Sequence, residues 1–155
     1  MPAAYLDIAN QITSRLAAVP NVGRVHHYQR NLNALETVKA EFFDHNLGRI
    51  AAWTCSRESF TDTQSSNIEN TRVFTWVLRG YMSVEDSQAT EVLFQQVIDN
   101  ICEAFRPQDD LGDTVELIQP VQARTIGYSM LGKPDSGILC HSAELVLQVQ
   151  EFYQN

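Results

Sequence analysis

Residues 72–82, Arg-Val-Phe-Thr-Trp-Val-Leu-Arg-Gly-Tyr-Met, constrain the fold most. Successive side chains of a strand point to opposite faces. Phe74, Trp76, Leu78 and Met82 then share one face, and Val73, Thr75, Val77, Arg79 and Tyr81 share the other. Apolar groups on both faces need cover on both, which places this strand in the middle of a sheet.

The flanking sequence supplies the neighbours and the cover. Tyr5, Ile8, Ala9, Ile12, Leu16 and Val19 recur at helical spacing, so an amphipathic helix is expected over about 3–19. Pro20 and Gly23 end it. Val22–Tyr28 is a short strand candidate, and 31–47 is open between a short helix and turns. Gly48–Phe60 reads as a strand. Thr61–Thr71 holds one apolar residue in eleven and reads as a long polar loop. Ser83-Val-Glu-Asp86 has capping-box spacing ahead of a helix running to about 106, with Leu93, Phe94, Val97, Ile98, Ile101 and Phe105 as its buried stripe. Asp109–Asp113 reads as a turn. Thr114–Ile118 starts a strand that bends at Pro120 and resumes around Gln122–Tyr128. Tyr128–Gly137 reads as a second exposed loop, and Ile138–Tyr153 as a long strand. The expected architecture is α+β: a mainly antiparallel sheet with two principal helices, about 3–19 and 84–106, packed on one face, in a single domain over 1–155.

Composition narrows the function. Only 30 of 155 residues are charged, against 41 neutral Gln, Asn, Ser and Thr, and the net charge is −8. A nonspecific nucleic-acid binder needs a cationic surface, and docking on anionic lipid needs the same. A sparsely charged, amide-rich surface suits extensive contact with other protein. No run reaches the roughly 18 apolar residues of a membrane span. Cys55, Cys102 and Cys140 form no metal or disulfide spacing. His26 and His27 are adjacent on a strand candidate and point to opposite faces, while His141 sits on the apolar face of the last strand. Cys55 beside Arg57 is the one thinkable activated thiolate, but no nucleophile–base set, phosphate loop or metal motif accompanies it. No catalysis and no cofactor are expected.

The stretch Thr71-Arg-Val-Phe-Thr-Trp-Val-Leu-Arg-Gly-Tyr-Met-Ser-Val-Glu-Asp-Ser-Gln-Ala-Thr-Glu91 resembles the gpU-like tail terminators of tailed bacteriophages. The resemblance lies in a strand ending Arg79-Gly80-Tyr81, an acidic segment, and a long helix with Phe94, Ile98 and Phe105. The opening helix, Trp53-Thr54-Cys55-Ser56-Arg57 running into a polar loop, and the closing strand around His141 follow the same order. It implies a structural virion protein of the tail or neck, assembled in the bacterial host cytoplasm. Such a subunit forms a homo-hexameric ring that caps the tail tube and meets the head connector. DNA passes through without specific binding, and no membrane is involved. Another neck component, a head-completion or connector subunit, is the alternative, with a small intracellular enzyme behind it.

A ring needs two different patches on each subunit. Candidate interface residues are Trp53, Arg57, Arg72 and Arg79, with Asp62, Glu69 and Lys133 in the two expected loops. Core and interface readings both stand for Trp53, whereas Trp76 reads as core. Deleting 62–69 is expected to spare the fold and impair assembly. The charge has one location: Gly80–Ala123 carries nine acids and the single base Arg106, which accounts for the whole net charge. Glu85, Asp86, Glu91, Asp99 and Glu103 mark this acidic surface.

Overall fold

The computed structural model describes residues 5–64, 66–106, 111, 117–133 and 137–154. The elements are α1 (Tyr5–Ala17), β1 (Arg24–His26), α2 (Leu35–Phe42), β2 (Phe43–Asp44), β3 (Arg49–Gln64), β4 (Glu69–Ser83), a 3-10 turn (Asp86–Gln88), α3 (Thr90–Ala104), β5 (Leu117–Ile118), β6 (Gln122–Leu131) and β7 (Ile138–Gln154). The fold is α+β with a mainly antiparallel sheet.

The sheet has seven strands with main path β1-β3-β4-β7-β5; β2 pairs with β3, and β6 with β7. As its two apolar faces require, β4 is central, between β3 and β7. β5 and β6 lie along the same outer edge of β7, interrupted around Pro120, where a residue without an N–H cannot continue the ladder. Among the described residues β1 is the one parallel neighbour, pairing Arg24–His26 with Ala52–Thr54.

The strand period sorts side chains into two cores. Ala51, Trp53 and Cys55 of β3, Phe74, Trp76, Leu78 and Met82 of β4, and Ala143, Leu145, Leu147 and Val149 of β7 form one cluster. Ile8, Ile12 and Leu16 of α1 and Phe94, Val97, Ile98 and Ile101 of α3 belong to it. The alternate residues Ala52 and Tyr81 meet Val38 and Phe42 of α2 in a second, smaller cluster. The ambiguous stretch 31–47 therefore contains a real helix, and its cover serves the opposite side of β3 and β4.

Two glycines are required by close approach. Gly23 has φ +82° and a Cβ there would meet the Ala51 carbonyl carbon at 2.6 Å. Gly80 lies opposite Trp53 in the β3–β4 register, and its missing side chain is where the indole sits.

Three sequence expectations are corrected. First, 61–71 is not a loop: Thr61, Asp62, Thr63 and Gln64 pair with Val73, Arg72, Thr71 and Asn70 in an extended hairpin. Second, Tyr128–Leu131 belongs to β6, so the expected loop 128–137 is mostly strand at its start; residues 134–136 lie outside the described residues. Third, Ser83 does not cap a helix. It is the last rung of β4, opposite Cys140. The N-cap position, Ala89, makes no side-chain cap bond, and Thr90, the first residue of α3, accepts the Glu85 N–H at its Oγ1 at 3.0 Å. The helix thus begins at 90, after Ala89 at φ 51°, and not at 84. The expected turn at 109–113 and strand start at 114–116 lie outside the described residues, Leu111 excepted. Among the described residues no helix is long and apolar enough to cross a membrane.

Candidate functional site

Two exposed surfaces stand out, at different edges of the sheet. The first is the distal end of the β3–β4 hairpin. β3 residues from Glu58 onward are exposed. A bulge between Arg57 and Ser59 shifts the register, so Phe60 faces Phe74 across the hairpin. The Arg57 guanidinium carbon lies 4.9 Å from the ring centres of Tyr5 and Phe60 and 5.5 Å from that of Phe74. Tyr5 in turn stacks on buried Trp76 at 5.3 Å. Arg57 thus ties α1 to the hairpin through aromatic faces. Phe60 is 51% exposed and Ile68, at the tip, 68%. The tip is closed by Ser66, whose Oγ accepts the Ile68 and Glu69 N–H groups at 3.3 and 3.1 Å. Beyond the short β1 contact, Cys55–Thr61 has no strand partner on its outer edge among the described residues.

The second surface is β6. Its outer edge has no strand partner among the described residues. Ile126, Tyr128 and Met130 pair with Ala143, His141 and Leu139. Directly opposed residues share a face, so these side chains continue the large-core face beyond β7. Ile126, Tyr128, Met130 and Leu139 nevertheless remain 44–60% exposed. His141 marks where cover ends: it is buried, its Nε2 is 2.9 Å from Thr90 Oγ1, and it stacks on Phe94. Burial lowers its pKa, with Glu91 acting against that.

The sequence candidates fall into three groups. Trp53 is buried and stacks on Phe94, so its interface reading is overturned: the indole has no face to offer a partner. Arg72 and Arg79 find carboxylates within the chain. Arg72 Nη2 bonds Asp62 Oδ2 at 3.1 Å across the hairpin, and Arg79 Nε bonds Glu144 Oε1 at 3.3 Å. Arg124 joins Glu144 to Glu58, so a charged lattice spans the polar side of the sheet. Arg57, Glu69 and the exposed Lys133 remain at the surface. Lys133, at the far end of β6, is not brought near the hairpin residues by any strand pairing.

The acidic group lies on α3 and the segment before it. Glu85, Asp86, Glu91, Asp99 and Glu103 are all exposed. Glu91, Gln95, Asp99 and Glu103 recur every four residues and form one solvent stripe on α3; Glu103 meets Arg106. Asp109, Asp110, Asp113 and Glu116 lie outside the described residues.

The thiolate idea for Cys55 is overturned as well. Cys55 is buried and its pKa is pushed up to about 12, which leaves no thiolate near neutrality. His26 points its Nε2 at the Glu41 carbonyl, 2.8 Å away, and its pKa is lowered by burial. No group of three metal-ligating side chains occurs among the described residues.

What the sequence reading missed is the exposed apolar set: Phe60, Ile68, Ile126, Tyr128, Met130 and Leu139. Their alternation was visible, but it signals one apolar face without saying whether a helix covers it. No protein-family model matches the chain, and no curated protein matches it.

Proposed function

We propose that the chain is a ring-forming virion subunit of the tail-terminator type, closing the end of a phage tail tube and presenting a surface to the head connector. The observation that carries this reading is the pair of unlike open surfaces: the outer end of the β3–β4 hairpin, with Phe60 on β3 and Ile68 at the tip, and the β6 side, with Ile126, Tyr128 and Met130 on β6 and Leu139 beside them on β7. A head-to-tail interface needs two different patches, and repeating it closes a ring when the rotation permits. Contiguous exposed apolar surface on a subunit marks a contact site, and open strand edges are pairing templates. In this arrangement α1 and α3, which share the large core cluster, form one helical layer on one sheet face. The α3 stripe then faces solvent, a basic partner or passing DNA, which it repels without binding. No catalytic step is assigned to the chain. The resemblance of 71–91 to gpU-like terminators supplies the tail context.

Complementation tests the reading. In a phage lacking this gene, tails are expected to be overlong or to fail to join heads, and supplying the chain restores length and joining. Tails of normal length that join heads without it would overturn the proposal. Pull-down against purified tube protein and portal protein separates the neck alternative: capture by portal alone identifies a connector-side subunit.

A further inference from the structure

At the end of the sheet away from the hairpin tip, the start of β3, the end of β4 and the start of β7 enclose an open cleft of about 520 Å³. Phe43, Ile50, Val84 and Ile138 supply apolar wall, and Lys39 and Arg49 supply positive charge, with Glu85 also on the lining. That volume lies within the range of ordinary ligand sites.

Arg49 is the unusual member. Its Nη1 is buried and has no hydrogen-bond partner. Its Nε reaches only the Leu47 carbonyl, at 3.4 Å. Asp44 is its partner in the β2–β3 register, yet the Asp44 carboxylate accepts the Leu47 N–H at 2.8 Å and closes the turn. A buried charged donor without an acceptor is unfavourable, and an anion placed in the cleft removes that penalty when the guanidinium turns out to meet it. Above Gly48, which also lines the cleft, a Cβ would meet nothing within 4 Å, so an incoming backbone has room there.

We propose that this cleft docks a segment of a partner protein carrying a carboxylate side chain beside an apolar one. The carboxylate accepts two N–H groups from Arg49, with Lys39 adding charge, and the neighbouring side chain rests on Ile50, Val84 and Ile138. The open shape favours a peptide segment over an enclosed small molecule. The proposal rests on the cleft alone and holds whether or not the chain forms a ring.

The test is an NMR titration of the ¹⁵N-labelled full chain with acetyl-Leu-Glu-Ile-amide, its Gln counterpart, and octanoate. Saturable shifts are expected at Gly48, Arg49, Val84 and Ile138. The Gln peptide is expected to bind about tenfold more weakly, the loss of one charged hydrogen-bonded contact. Arg49→Gln should remove that difference between the two peptides, and Lys39→Gln, at an exposed position, should reduce it without affecting the fold. Equal binding of the Glu and Gln peptides, shifts elsewhere, or no saturable shift would overturn the proposal. Tighter binding of octanoate than of the Glu peptide would also overturn it, in favour of a small-molecule site. Thermal melts of both variants separate loss of binding from loss of fold.

Discussion

Gly80 and Trp53 show how much one atom decides in this core. The indole occupies the space a Cβ at 80 would take, and it packs onto Phe94. Gly80→Ala is expected to cost about 1–3 kcal/mol by overpacking, while Gly127→Ala, where nothing lies within 4 Å, should stay within about 0.5 kcal/mol. Urea unfolding of the two variants checks the contrast; equal losses would mean the indole does not fill that space. His141 gives a pH dependence at the same scale. Burial lowers its pKa from 6.5, and lowers that of His26 as well. The unfolded chain therefore takes up these protons first as pH falls. The stability is fully present above 6.5 and declines as pH drops from there through the lowered folded-state values. His141→Gln should flatten the fall in urea midpoint between about pH 7.5 and pH 5.5, leaving the share due to His26. An unchanged slope would assign the effect elsewhere.

Among the elements, those whose fate depends on local pattern were legible in the sequence. The α1 stripe, the α3 stripe, central β4, the break at Pro120 and long β7 all follow from period and punctuation. The hairpin end did not. The segment is polar because it belongs to a ribbon exposed at its far end, where Thr61–Gln64 pair with β4, whose rungs continue into β7. A polar strand and a polar loop have the same composition, and only long-range register tells them apart. The capping box failed for a related reason: the pairing of Ser83 with Cys140 keeps that residue in the sheet. The candidate site was half legible. Arg57 lies among the rings of Tyr5, Phe60 and Phe74, but the exposed strip on β6 depends on which part of that face is left without cover, which is set far away in sequence. The expectation for deleting 62–69 now reverses. Because the deletion removes paired residues of both strands, it is expected to cost about 1–3 kcal/mol, read as a lower melting temperature. A melt identical to the parent would mean the ribbon is not a stable ladder.

For the whole molecule, the acidic charge and the two open edges are separate facts with separate tests. The exposed stripe of Glu91, Asp99 and Glu103 sits on α3, on an element distinct from both β3 and β6. If it lines the channel, replacing all three with Lys should leave ring assembly intact and slow DNA ejection, because cationic side chains hold phosphate; unchanged ejection would remove the stripe from the channel. The central claim, assembly through two unlike surfaces, is tested most directly by light scattering on mixed variants. One variant carries Phe60→Lys and Ile68→Lys; the other carries Tyr128→Lys and Met130→Lys. The unmodified chain is expected to give a closed ring of one fixed mass, each variant alone a monomer, and the two mixed a one-to-one pair that grows no further. A parent chain that stays monomeric at every concentration, or variants that each still assemble alone, would contradict the account.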